Sequence, residues 1–251
     1  MTLASARRLE RAAPRKAWTR RRLCEMSFET SSSPDDNGDE TVISLVPKEL
    51  VGMRLTRIYT KTGDQGGTML ASGDKISKAA RRIEAYGTVD ELNAWVGYLR
   101  DELKGESAFK DHWLQASLER VQNELFDLGS ELATPTRSLR PDRQHLLSED
   151  DIRQLEIEID QVNDKLPPLA NFVLPGGHRA NSVAHLARTV CRRAEREVVR
   201  LRLDEPDIRI ETQMYLNRLS DWLFVMSRAV SQVLGCAEIL WQQKRPTTPK
   251  S

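Results

Sequence analysis

From residue 78 onward the apolar positions recur at alternating spacings of three and four, which predicts amphipathic helices. The first, about 78–103, carries Leu92, Val96, Leu99 and Leu103. The second, about 108–133, carries Leu114, Leu118, Val121, Leu125, Leu128 and Leu132. The third, about 148–166, has Ile152, Leu155, Ile159, Val162 and Leu166. Ser148 is placed to cap it, with Asp151 in its first turn, and Pro167-Pro168 stops it. The fourth, about 177–203, opens after Pro175-Gly176-Gly177, and the fifth, about 209–235, runs from Leu216 through Leu219, Leu223, Met226 and Val230 to Gly235. Such spacing keeps one narrow seam facing a neighbour. The expected fold is therefore all-α, a five-helix bundle with left-handed packing.

The rest of the chain lacks this pattern. Residues 1–52 begin with an arginine-rich stretch and continue into the polar, acidic run "ETSSSPDDNGDET", which reads as a disordered extension. Two readings stay open for it: a mitochondrial transit peptide, or a dispensable extension of a bacterial protein, with Met53 as an alternative start. Residues 53–243 form the expected bundle, and 244–251 a flexible tail.

Composition narrows the class. The 251 residues are 39% hydrophobic and 30% charged, with a formal charge of +1. That suits long helices with solvated outer faces and argues against a general nucleic-acid binder. No apolar run is long enough to span a membrane. Cys24, Cys191 and Cys236 are scattered, so a reducing compartment is expected, cytoplasm or mitochondrial matrix. The four histidines show no metal-ligand spacing, and no metal site is expected.

Some residues are not explained by packing. Arg188, Arg192 and Arg196 lie at i, i+4 and i+8, one stripe on one helix face, with Arg193 and Glu195 beside it. Like charges at that spacing repel, so the stripe asks for an anionic partner; a solvated face with Glu–Arg pairs is the plainer reading. Asn217 and Asp221 form a polar pair beside an apolar seam, as do Asp90 and Asn93. Either Asp90 pairs with an arginine across helices or subunits, or it helps cap a helix that Gly87 interrupts. The loop "RIYTKTGDQGGTMLASGD" has neither the P-loop nor the dinucleotide pattern. Yet Thr60, Lys61, Thr62, Gly63, Asp64, Gly66, Gly67 and Thr68 supply hydroxyls, an ammonium and glycines whose N–H groups can line an anion nest. Asp64 is suited either to a magnesium ion or to fixing the loop. Loop and stripe together would clamp something like a triphosphate.

The segments "YTKTGDQGGT", "EAYGTVDELNAWVG", "NFVLPGG", "CRRAERE" and "YLNRLSDWLF", in order from about Arg57 to Trp241, resemble the PduO-type ATP:cob(I)alamin adenosyltransferases. The resemblance implies a homotrimer of five-helix bundles with active sites between subunits. Its substrates would be ATP with Mg2+ and cob(I)alamin, and its partners a cobalamin reductase and a B12-dependent client enzyme. It implies that Thr60, Lys61, Thr62, Gly63, Asp64, Gly66 and Thr68 wrap ATP and that Lys78 reaches the phosphates. Arg192, Arg193, Arg196 and Asn217 match further ATP contacts, with Glu195 in the same segment. Asp90 and Arg188 match a salt bridge between subunits, and Phe172 the aromatic beneath the corrin ring. On the residues alone Phe172 also reads as a core aromatic. Two rivals remain: a helical-bundle interaction protein that binds no nucleotide, and another ATP-dependent transferase, such as a kinase, that would release ADP.

Overall fold

The computed structural model describes residue 59, residues 61–169 and residues 171–243. The readings made for residues 1–52, for Thr60 and for the 244–251 tail lie outside the described residues. Five helices dominate: α1 Arg81–Lys104, α2 Trp113–Ala133, α3 Glu149–Asn163, α4 Arg179–Asp204 and α5 Ile210–Val233. The expected seams are the core. Leu92, Val96, Leu99, Leu118, Leu128, Leu155, Leu216 and Leu223 are all buried. Truncating one such leucine to alanine leaves a cavity worth about 2–5 kcal/mol.

Local chemistry sets the helix ends. Ser148 N and Oγ both donate to Asp151 Oδ2, at 2.8 and 2.7 Å, so the expected cap of α3 forms. Nδ1 of His112 accepts from the Leu114 N–H at 3.3 Å, and Nδ1 of His178 from the Ala180 N–H at 3.2 Å. Imidazole caps carry no composition signal, and α2 starts at Trp113, not near 108, because a short 3-10 turn over Ser107–Phe109 precedes His112. Likewise α1 starts at Arg81, after a turn over residues 78–80, and runs unbroken through Gly87. Gly87 therefore does not interrupt the helix, and Asp90 is an exposed mid-helix residue.

Helix α1 packs against α2 and α4, α4 against α5, and α5 against α3. Helices α1 and α4 run antiparallel, clipped at three levels by Arg81–Asp204, Glu91–Arg193 and Glu102–Arg179. Buried polar groups join the remaining helices. Arg120 of α2 donates to Glu124 at 2.7 and 2.8 Å and to Glu158 of α3 at 2.9 Å. From α5, Tyr215 donates to Glu124 at 2.6 Å and Trp222 to Glu158 at 2.7 Å. Every charge in this network has a partner, as burial requires.

Two small sheets sit on the bundle. Strands β1 Gly67–Met69 and β2 Lys75–Ser77 form a hairpin within the glycine-rich loop. Strands β3 Val173–Leu174 and β4 Ile239–Leu240 pair antiparallel, bringing the segment after α5 alongside Phe172. Among the described residues no helix is long and apolar enough to cross a membrane.

Candidate functional site

The glycine loop is anchored at the α1 end of the bundle. Arg82 is buried; it pairs with Glu205 after α4 and donates to the carbonyls of Leu132 and Thr134 at the end of α2. Arg137 holds Asp74 of the hairpin at 2.5 Å, and the Ala71 N–H donates to the Ala133 carbonyl at 3.4 Å. Within the loop, Gly66 N–H donates to the Gly63 carbonyl at 3.2 Å, and Lys78 N–H to the Gly66 carbonyl at 2.8 Å. Lys61 has φ 61°, in the left-handed region that a lysine enters only where its surroundings impose it. Its ammonium lies 5.9 Å from the Tyr59 ring centre. A Cβ on Gly63 would sit 3.0 Å from both Lys78 Nζ and the Gly67 carbonyl oxygen. The sequence thus brings two ammonium groups and a turn of glycines to one exposed loop, as an anion site requires.

The α4 stripe is the second part. Arg192 and Arg196 are exposed and Arg188 half-buried. The Arg196 guanidinium donates to the Arg192 carbonyl at 2.9 Å, so it folds back along the helix. Among the described residues neither Arg192 nor Arg196 meets a carboxylate. Burial, and then the Arg192 charge beside it, lower the Arg188 pKa. The plainer reading of a face neutralised by Glu–Arg pairs holds for Arg193, which is paired with Glu91, and fails for the stripe itself. Glu195 instead accepts from Asn217 Nδ2 of α5 at 3.0 Å, fixing the asparagine beside the arginines. Asn217 and Asp221 are exposed rather than half-buried, because they flank the seam on its outer side. Asp90 is exposed and without an ion-pair partner among the described residues; Asn93 is half-buried and donates to the Gln122 carbonyl at 3.1 Å.

The third part is a hollow of about 600 Å³ bounded by Phe172, Val173, His185, Arg188 and Phe224. Phe172 is 77% exposed, so it is not a core aromatic. Its presentation is built. Asn171 Oδ1 accepts from the Phe172 N–H at 2.8 Å, and the Phe172 carbonyl accepts from the Trp241 N–H at 2.8 Å. The segment carrying Trp241, just after β4, is held by a buried Arg228 that pairs with Glu238 at 2.6 Å. Gly176 and Gly177, at φ 143° and 88°, turn the chain from Val173–Leu174 into α4. Asn181 locks that turn, accepting from Gly176 N–H at 3.1 Å and donating to Ser227 O at 2.9 Å.

The structure brings Lys61, Gly63, Gly66 and Lys78 together in one loop, and Arg188, Arg192, Arg196, Glu195 and Asn217 together on the α4–α5 face. Asp64 and Thr68 stay with the loop, Asp64 exposed and Thr68 half-buried; Thr62 is exposed and engaged within the fold. Asp90 and Arg188 do not pair within one chain. Sequence reading missed His185, Trp241, Asn181 and the Arg228–Glu238 pair. Only "NFVLPGG" hinted at a built turn; the partners lie up to 70 residues away. Among the described residues no three His, Cys, Asp or Glu side chains cluster to hold a metal ion. Cys191 is buried, its thiol donating to the Leu216 carbonyl at 3.2 Å and pushed up in pKa first by burial, which unsuits it as a nucleophile.

A helical bundle that displays uncompensated arginines, a glycine–lysine loop and an aromatic-lipped hollow is a ligand-binding bundle for an anion and a large apolar-faced molecule. The chain belongs to the cobalamin adenosyltransferase family, whose pattern matches residues 58–230. A corrinoid adenosyltransferase of Bacillus subtilis (strain 168) is 41% identical over 187 residues, 74% of this chain and 93% of that protein. The corrinoid adenosyltransferase MMAB of Homo sapiens is 39% identical over 199 residues, 77% of this chain and 76% of that protein. A variant PduO-type ATP:corrinoid adenosyltransferase from Lactobacillus reuteri, solved in complex with cobalamin and ATP, matches with TM-score 0.69 and 35% identity, covering 76% of this chain and 100% of its own.

Proposed function

We propose that this chain transfers the 5′-deoxyadenosyl group of ATP to cob(I)alamin, yielding adenosylcobalamin and triphosphate. The cobalt(I) electron pair attacks the 5′ carbon. A Co–C bond forms as the C–O bond breaks, and its electrons leave with the triphosphate. The nucleophile is already strong, so no proton need be removed from it. The chain must position two substrates and neutralise the leaving group. The observation that carries this reading is the stripe Arg188, Arg192, Arg196, which reaches from the Phe172 hollow along α4 and, among the described residues, has no carboxylate partner at its two exposed members.

In this reading Lys61 and Lys78, with the glycine-loop N–H groups, hold the triphosphate. Arg192 and Arg196 meet the charge that grows on it, and the Glu195–Asn217 pair sets the nucleotide's place. Magnesium enters with the triphosphate as part of the substrate. Phe172, exposed at the rim, covers the lower face of the corrin ring and excludes an axial ligand, which makes the cobalt(II) form easier to reduce.

The assembly is a homotrimer with sites between subunits. One feature supports it: the exposed Asp90 has, among the described residues, no ion-pair partner, and Arg188 of a neighbouring copy would supply one. The working division is a bundle from residue 53 to 243, preceded by a separate extension. A cobalamin reductase would supply the electron and a B12-dependent enzyme take the product. The cytoplasm is the compartment preferred for the chain, with the mitochondrial matrix the alternative if residues 1–52 direct import; fluorescence microscopy of a tagged full chain in its own cell separates the two.

The test is anaerobic absorbance spectroscopy with ATP, magnesium and reduced cobalamin. An ATP-dependent shift from the cob(I)alamin spectrum to a light-sensitive alkylcobalamin spectrum, with intact triphosphate released, is expected. Stoichiometric ADP in place of triphosphate overturns the reading.

A further inference from the structure

We propose that His185 is a positioning residue that aims the Arg188 guanidinium at the rim of the Phe172 hollow; this rests on the adenosyltransferase reading of the site. His185 is 3% exposed, on the inner side of α4, and its ring forms part of the hollow's wall. Arg188 Nε approaches His185 Nδ1 at 3.4 Å. His185 Nε2 lies 3.2 Å from Ser227 Oγ of α5, and Ser227 Oγ donates to the Phe224 carbonyl at 2.7 Å.

These contacts define one tautomer. The Arg188 Nε–H can only donate, so Nδ1 must accept and carries no proton. The ring proton is then on Nε2 and donates to Ser227 Oγ. That oxygen has already committed its own hydrogen to Phe224 and is left to accept. The chain from Arg188 through His185 and Ser227 to the α5 backbone is fully satisfied in this direction only. A protonated ring would set two cations against each other, and burial disfavours the charged form further. The Phe224 ring, 6.2 Å away at 64°, limits rotation of the imidazole.

The consequence is specific. Arg188 is a long, half-buried side chain at the rim of the hollow, with several rotamers open to it. One acceptor at Nε leaves its terminal nitrogens free to meet an anion or a neighbouring carboxylate from a fixed direction. A bulky apolar residue at position 185 would fill the same volume and lose this aim.

Steady-state kinetics of the full chain with ATP and chemically reduced cobalamin tests this. His185→Leu is expected to lower kcat about tenfold with KM for ATP within about twofold. His185→Asn, whose side-chain oxygen replaces Nδ1 as acceptor, is expected to recover most of the rate. The double variant His185→Leu/Arg188→Ala is expected to be no slower than Arg188→Ala alone, since both remove one function. Should His185→Leu fail to fold, Ser227→Ala supplies the second route: it removes the partner of Nε2 and is expected to shift the imidazole nitrogen NMR signals away from the Nε2–H tautomer while lowering kcat. Equal losses in His185→Leu and His185→Asn, independent multiplying losses with Arg188→Ala, or an Nδ1–H tautomer in the wild type overturn the role. A wild type that forms no alkylcobalamin instead removes the parent reading.

Discussion

Phe172 and Trp241 meet edge to face, their ring centres 6.1 Å apart at 72°, and the same two residues share a backbone hydrogen bond. One aromatic is offered to solvent because another, contributed by the segment after α5, braces it. Aromatic pairs of this kind contribute about 0.5–1.5 kcal/mol beyond area burial. Trp241→Ala is therefore expected to leave the melting temperature within a few degrees and to slow adenosylation from cob(II)alamin several-fold more than from cob(I)alamin. Equal slowing from both starting forms removes the bracing role.

Phe172→Ala carries the same logic to its source. The side chain is largely exposed, so its removal costs little stability. It is expected to slow the reaction that starts from cob(II)alamin much more than the one that starts from chemically reduced cobalamin, measured by anaerobic spectroscopy. A uniform loss would mean that the ring binds corrin without influencing the axial position.

Arg192 is exposed and bears no carboxylate partner among the described residues, so Arg192→Ala should fold normally. Losing one charge-stabilising donor costs about 2.7–4 kcal/mol in transition-state stabilisation. The expected result is a fall of about 10²–10³ in kcat/KM with the oligomer intact by analytical ultracentrifugation. Activity within about threefold of wild type would take Arg192 off the leaving group.

Gly63 tests the loop without removing a charge. A methyl group there meets Lys78 Nζ and the Gly67 carbonyl at 3.0 Å, so the lysine must move. Gly63→Ala is expected to raise KM for ATP about tenfold, with the helical content unchanged by circular dichroism. An unchanged KM would mean that Lys78 does not act from its present place.

His185 also gives a pH dependence. Burial first, and then the Arg188 charge, lower its pKa from 6.5 to about 4. In the unfolded chain the group binds a proton below 6.5; in the fold it resists until about pH 4. Its contribution to stability is thus complete above 6.5 and lost as pH falls toward 4, a change of about 3 kcal/mol. Denaturant unfolding of the wild type should lose about that much more than His185→Leu between pH 7 and 4. Parallel losses in the two proteins would show that other groups carry the acid sensitivity.

Much of the architecture was legible in the order of residues. Leu92, Val96 and Leu99, or Leu216, Leu219 and Leu223, specify helix and buried face together, because a period near 3.6 admits no other way to hide them. The arginine stripe was legible for the same reason: spacing on a helix fixes which side chains share a face. So were Ser148 and Asp151, whose cap needs only neighbours in sequence. The five motifs in order were enough to carry the family.

Other features were decided only in three dimensions. That Arg193 is spent on Glu91 while Arg192 meets no carboxylate among the described residues depends on where α1 crosses α4. That Phe172 faces solvent depends on Trp241, Asn171 and an Arg228–Glu238 pair closing from the far end of the chain. That His185 is neutral, and in which tautomer, depends on Ser227 of another helix. Periodicity reports burial against a neighbour but not the neighbour's identity. Long-range hydrogen bonds and ion pairs form between residues whose separation in sequence carries no signal, and they, rather than the helices, decide which charges are left for a ligand.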